Sequence, residues 1–125
     1  MSEASPVLDR RRFALLRVTG EGEPDAELAS LVRAFLDSSR ATLQELRAAD
    51  RAGDRHQIAA LAHRLKGSSV LFGAMRLRDA GGVLQEAARR EVRAPDAELA
   101  AALAAVEREL AAAADAFERE LRAQG

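Results

Sequence analysis

Residues 25–50, DAELASLVRAFLDSSRATLQELRAAD, decide the fold class of this chain. The segment holds no proline or glycine, and mostly apolar or small residues recur along it at alternating steps of four and three. That spacing returns side chains to one face of an α-helix, so it predicts a long helix with a single buried stripe. The predicted stripe consists of Leu28, Val32, Phe35, Ser39, Thr42, Leu46 and Ala49.

Three further long helices are predicted from the remaining sequence. One begins at Asp54, which forms a capping-box pattern with Gln57, and ends just before the stop residue Gly73. The next runs over about residues 75–91. The last begins after Pro95 and repeats the spacing of the first segment, with a predicted stripe of Leu99, Leu103, Val106, Leu110, Ala113 and Phe117.

A short helix is predicted near the start of the chain, from an N-cap at Asp9 with Phe13 in its apolar staple to about Val18. The connections between the four long helices are only a few residues, and short loops make consecutive helices antiparallel neighbours. We therefore predict an all-α fold, an antiparallel up-down four-helix bundle over residues 25–125. Residues 1–24 form an N-terminal segment whose short helix caps one end of the bundle.

Composition restricts the function. With 125 residues the chain suits one domain, and its formal net charge of −1 provides no positive field for a nucleic acid. It has no cysteine, hence no disulfide, thiolate nucleophile or sulfur-ligated zinc, and no metal site is predicted. No apolar run reaches the length of a membrane span, and the N-terminus lacks a leader pattern, so we expect a cytoplasmic monomer that binds neither nucleic acid nor membrane.

The chemistry points to the third predicted helix. Its core face contains Ile58, Leu61, Leu65 and Phe72, which places His63, Lys66 and Gly67 together on the opposite, solvent-facing side. Lys66 is the single lysine among 19 basic residues, and a glycine inside a helix costs about 1 kcal/mol relative to alanine. An exposed imidazole with an ammonium one turn away and bare backbone beside it suits a histidine that carries phosphate and is reached by another protein.

The sequence around this histidine resembles a known family. Residues 62–77, AHRLKGSSVLFGAMRL, are similar to the signature of histidine-containing phosphotransfer (HPt) domains, which reads Ala-His-x-Leu-Lys-Gly, then Gly-Ala and Leu. The resemblance extends to Phe35-Leu36, to the Ala-Gly-Asp corner at 52–54, and to Leu84-Gln85, where the family usually has Leu-Glu.

The resemblance implies a role for each matching residue. His63 would be the phosphoacceptor, Lys66 a phosphate-stabilising cation, Gly67 a position that leaves room for the partner, and Gln85 the residue that orients the ring. Gln85 keeps an acceptor oxygen without the charge of a glutamate, which changes the basicity expected of the ring. Helical offsets place further candidates for partner docking beside this site: Val70, Arg78, Gly82 and Arg89.

The expected function is transfer of a phosphoryl group between receiver domains of response regulators, in a pathway started by a sensor or hybrid histidine kinase. The chain holds no ATP-binding motif, so it is interpreted as a phosphorelay intermediate rather than an enzyme, with no cofactor of its own and with Mg²⁺ on the partner receiver. Two alternatives remain open: an adaptor that binds a receiver or kinase without being phosphorylated, and a structural bundle that self-associates through its alanine-rich last helix.

Overall fold

The computed structural model describes residues 5–16 and 24–124, and this part of the chain is helical with short connections and contains no strand. It has five helices: α1 (Arg10–Leu15), α2 (Pro24–Arg51), α3 (Arg55–Phe72), α4 (Met75–Arg89) and α5 (Asp96–Gln124). The four long helices alternate in direction because the corners between them are short. The predicted antiparallel four-helix bundle with a short additional helix is therefore confirmed.

The core consists of the stripes that the periodicity predicted. Every stripe residue of α2 and α5 is buried, including the polar Ser39 and Thr42, and Leu43 and Ala102 are buried in addition. The hydroxyl of Thr42 donates to the carbonyl oxygen of Ser38 at 3.0 Å, which satisfies it inside the helix.

The four phenylalanines of the chain form one continuous cluster. Phe35 stacks on Phe72 with ring centroids 4.5 Å apart and meets Phe117 edge-on at 5.9 Å. Phe13 of α1 packs on Phe117 at 5.5 Å, so the short helix covers this end of the bundle as predicted. Its N-cap is also as predicted, because the Asp9 carboxylate accepts from backbone N–H groups of the first turn.

Two glycines end helices in left-handed conformations. Gly53 (φ 68°) follows α2 and Gly73 (φ 78°) follows α3. At each corner two backbone N–H groups return to carbonyl oxygens of the last helical turn, as in the Schellman motif. The tight corner after Gly73 directs α4 back along α3, and this antiparallel pair carries the candidate site.

Three details differ from the sequence predictions. Helix α4 ends at Arg89 rather than Glu91, because Arg90 has extended backbone (ψ 137°) and its guanidinium binds Glu98 of α5. Helix α1 ends at Leu15, and Val18 lies outside the described residues. The Asp54 side chain caps Gln57 N at 3.0 Å, but the Asp54 N–H binds the Ala49 carbonyl, so the capping box is formed in one direction only.

None of the helices in the described part of the chain combines the length and the apolar character that crossing a bilayer requires.

Substituting the two corner glycines separates backbone strain from packing. A Cβ at Gly53 would meet nothing within 4 Å, so Gly53→Ala should cost only the left-handed strain, about 1–2 kcal/mol. A Cβ at Gly73 would lie 2.7 Å from the Asp9 carbonyl oxygen, so Gly73→Ala must also displace α1. We expect a larger loss in the free energy of unfolding for Gly73→Ala, measured by urea denaturation. Equal losses would contradict the packing role of Gly73.

Candidate functional site

His63 lies in the middle of α3, on the side of the helix that faces away from the core. Ile58, Leu61 and Leu65 on the inner side are 2–3% exposed, and Phe72 is half-buried against the core. His63 itself is exposed. Because the inner residues are fixed by burial, the direction of the imidazole follows from its position in the helix.

The neighbouring helix holds one nitrogen of this imidazole. The side-chain Nε2 of Gln85 on α4 lies 3.1 Å from Nδ1 of His63. An amide meets Nδ1 in either protonation state, donating from its NH₂ to a bare nitrogen or accepting through its oxygen from Nδ1–H. No hydrogen bond to Nε2 occurs within the described residues, so the arrangement leaves this second ring nitrogen available for chemistry.

Lys66 lies one turn after His63, and its stem crosses toward α4. A Cβ built on Gly81 would lie 3.6 Å from Lys66 Cβ, and one built on Gly82 would lie 3.9 Å from Lys66 Cδ. Lys66 is exposed and forms no ion pair with any of the residues that the structure describes. Its ammonium is therefore free to bind an incoming anion.

Gly67 has no structural neighbour that would explain it. A Cβ at this position would meet nothing within 4 Å, and the backbone is ordinary helix. Alanine would fit and would stabilise the helix by up to about 1 kcal/mol. The bare backbone beside His63 is thus required by neither the packing nor the conformation of this chain.

An open groove runs along α4 beside Lys66. Its lining includes exposed Val83 and five charged residues, and the complete set is Lys66, Arg78, Asp79, Gly82, Val83, Glu86 and Arg90. Both arginines of the groove are engaged by neighbours. Arg78 binds the adjacent Asp79 at 2.6 Å, and Arg90 binds Glu98. Lys66 is therefore the one cation of this groove without a carboxylate partner in the described structure.

The N-terminal segment reaches the edge of the same groove. Arg76 Nε donates to the Ser5 carbonyl oxygen at 2.9 Å, and Ser5 Oγ lies 3.5 Å from an Arg78 nitrogen. Burial by itself raises the pKa of Asp79, but hydrogen bonds from Ser5 and Arg78 and the charge of Arg78 outweigh it, so this pKa lies below its usual value. Asp79 therefore stays charged and keeps Arg78 in place.

The remaining predicted residues fall into three situations. Val70 is half-buried one turn beyond Lys66, and Arg78 lies in the groove but is already paired. Arg89 is exposed and lies outside the groove, which Arg90 lines instead. The sequence interpretation thus missed Asp79, Val83, Glu86 and Arg90, although their spacing along the helix with Gly82 already indicates a shared face.

Other chemically capable side chains have ordinary structural roles. The hydroxyls of Ser68 and Ser69 donate to the carbonyl oxygens of Arg64 and Leu65 within the same helix. His56 is exposed two turns before His63. Within the described ranges no three acidic, histidine or cysteine side chains cluster as a metal site would require.

The comparisons with known proteins agree on one family. The sequence model of the Hpt domain matches residues 30–122, which include all of α3 and α4 and most of α2 and α5. Among solved structures, histidine-containing phosphotransfer protein B (HptB) from Pseudomonas aeruginosa PAO1 is similar, with a TM-score of 0.80 and 32% sequence identity. The similarity covers 95% of this chain and 97% of that one. No curated protein matches significantly.

The contact between Gln85 and His63 predicts a measurable ring state. Removing the amide in Gln85→Ala should change the balance of neutral imidazole tautomers and increase ring mobility at His63, because Nδ1 loses its partner. Long-range ¹H–¹⁵N NMR of the two histidines reports this directly, with His56 as an internal control whose signals should not move. An unchanged His63 spectrum would show that the contact does not hold the ring in solution.

Proposed function

This chain belongs to the Hpt domain family, and from that premise we propose that His63 accepts a phosphoryl group from the phospho-aspartate of one receiver domain and passes it to the aspartate of another. Histidine phosphotransfer in a phosphorelay is the role of the family. The assignment to His63 is supported chiefly by one observation: an exposed imidazole whose Nδ1 is held by Gln85 while Nε2 has no partner in the described structure.

The proposed step is an in-line displacement at phosphorus. The lone pair of His63 Nε2 attacks the phosphoryl group, an N–P bond forms, and the P–O bond to the aspartate breaks, releasing its carboxylate. The ring keeps its proton on Nδ1, where the Gln85 oxygen accepts it once the amide presents that atom. In the second transfer the carboxylate of the next receiver attacks phosphorus, and the imidazole leaves with its electron pair.

Lys66 supplies charge for this chemistry. Its ammonium is exposed, lies one turn from the imidazole and has no ion-pair partner in the described structure, so it can follow the phosphoryl oxygens during both transfers. A lysine suits this role better than an arginine, because a compact charge on a flexible stem adapts to an oxygen that changes position. The exposed cation contributes little to folding, so its effect should be kinetic.

The partners follow from the same chemistry. The receiver domains supply the aspartates and the Mg²⁺ that stabilises the transferring phosphoryl group, and a sensor or hybrid histidine kinase starts the relay. Gly67 leaves the space through which the receiver approaches, with Val70, further along α3, and Val83, in the groove of α4, as apolar contacts. We place this exchange in the cytoplasm, between a monomer of this chain and one receiver at a time.

Replacing the acceptor tests the assignment. His63→Gln should abolish transfer of acid-labile label from a phosphorylated receiver while leaving helicity and thermal stability almost unchanged, because His63 is exposed. His56→Gln is the matched control and should transfer normally. Label that persists on His63→Gln would place the acceptor elsewhere. A wild-type chain that binds phosphorylated receivers but never takes up label would favour the adaptor alternative.

The single lysine tests the electrostatic part of the proposal. Lys66→Ala should slow transfer and alter the lifetime of phospho-His63. The transfer rate of Lys66→Arg should lie between those of wild type and Lys66→Ala, since arginine keeps the charge but changes the geometry. Rates come from rapid mixing with a phosphorylated receiver, and urea denaturation should give nearly equal stabilities. Equal transfer rates for wild type and Lys66→Ala would remove Lys66 from the mechanism.

A further inference from the structure

Helix α4 contains two consecutive glycines, Gly81 and Gly82, in its interior. Each costs about 1 kcal/mol relative to alanine in such a position, and neither has a positive φ that would demand a glycine. The rest of the chain is rich in alanine. These two positions therefore need an explanation from their surroundings.

The first of the pair is explained by helix packing. A Cβ at Gly81 would lie 3.4 Å from the carbonyl oxygen of Ala62, so the backbones of α3 and α4 approach closely at this point. Gly81 is buried, as is Ala62. A larger residue at Gly81 would push the two helices apart.

Packing does not explain the second glycine. A Cβ at Gly82 would meet one non-local atom within 4 Å, Cδ of Lys66 at 3.9 Å, which is ordinary van der Waals contact. The antiparallel register of α3 and α4 explains why Gly82 lies near Lys66. Gln85 of α4 faces His63 of α3. Gly82 lies one turn before Gln85, and it faces Lys66, which lies one turn after His63.

We propose that Gly82 is a positioning residue for Lys66: because it has no side chain, the lysine stem can cross the α3–α4 seam and keep its ammonium mobile beside His63. A bulky side chain at Gly82 would occupy the space where the Lys66 stem lies and would turn the lysine outward. The effect on phosphotransfer rests on the proposed function, whereas the effect on the conformation of Lys66 does not.

The charges in the groove support this role. Asp79 is bound by Arg78 and Ser5, which leaves Glu86 as the lining carboxylate without a hydrogen-bonded partner in the described structure, and Lys66 forms no ion pair with either. The stem thus lies in the space that a side chain at Gly82 would enter, and no ion pair fixes its end. A lysine placed in this way can leave the groove without breaking a salt bridge.

The single lysine allows a direct test that does not depend on activity. Reductive ¹³C-methylation keeps the lysine charge and labels Lys66 alone among the side chains, so one NMR signal reports its surroundings. Gly82→Leu should shift this signal and change its relaxation. Gly67→Leu is the matched control: consecutive residues of a helix do not face each other, and apart from its chain neighbours a Cβ at Gly67 would meet nothing within 4 Å, so it should move the signal less than Gly82→Leu does.

A double-mutant cycle tests the same idea through phosphotransfer. Gly82→Leu should slow transfer to about the rate of Lys66→Ala, and the double variant should be no slower than Lys66→Ala alone, since both act through one group. Gly67→Leu should instead slow transfer by the same factor with or without Lys66, because it obstructs the partner. Gly82→Ala, which adds one methyl group, should shift the NMR signal less but in the same direction, and it serves if Gly82→Leu unfolds.

Two results would overturn the proposal. One is a folded Gly82 variant whose Lys66 signal matches wild type. The other is a Gly82→Leu effect on transfer that persists in full without Lys66, which would make Gly82 a clearance position like Gly67. If the wild-type chain transfers no phosphoryl group, the proposed function fails, and the NMR comparison still decides whether Gly82 positions Lys66.

Discussion

The close approach of α3 and α4 at Gly81 is the constraint on which the site depends. Where a Cβ would lie only 3.4 Å from the Ala62 carbonyl oxygen, the two backbones are held at one distance and in one register. That register places Gln85 beside His63 and Gly82 beside the side chain of Lys66. A shift of one residue along either helix would separate both pairs at once. The packing of Gly81 therefore determines how the side chains of the site are placed relative to one another.

The glycines of the described structure fall into two groups: those that the fold requires and those that it does not. Gly53 and Gly73 adopt left-handed backbone that the corners need, and Gly81 permits close packing. Gly67 and Gly82 do neither, and they lie beside the two exposed groups of the site. Each lowers helix stability by about 1 kcal/mol in a bundle whose buried leucines and phenylalanines contribute far more. The fold therefore tolerates two unfavourable residues beside the exposed His63 and Lys66.

The extent to which sequence predicts this protein depends on whether a feature lies within one helix or between two. His63, Lys66 and Gly67 share one helix, so spacing alone placed them on one exposed face, and the buried stripes of α2 and α5 followed in the same way. The role of Gln85 could be predicted only from the family resemblance, because the sequence of α4 does not indicate which α3 residue Gln85 faces. The Ser5 contact with Asp79 joins residues far apart in the chain, so the sequence could not show it. Arg78 and Asp79 are adjacent, but adjacency alone does not show that their side chains are bound to each other. The choice of Arg90 over Arg89 in the groove depends on where α4 ends, which an extended residue and an ion pair to Glu98 decide.

The distribution of charge bears on why a phosphoryl group would leave this site as readily as it arrives. Phosphorylation adds negative charge to an exposed ring whose partner, Gln85, is neutral, and two nearby arginines are already bound to Asp79 and Glu98. Lys66 is then the cation of the groove that remains for the phosphoryl oxygens. A site with several free guanidinium groups would bind the phosphoryl oxygens tightly and lower the free energy of phospho-His63. This stabilisation would raise the barrier to the second transfer and slow it. Under the proposed function, with one unpaired ammonium here and Mg²⁺ expected on the receiver, most of the stabilisation would exist only while the two proteins are in contact, which suits a transfer intermediate.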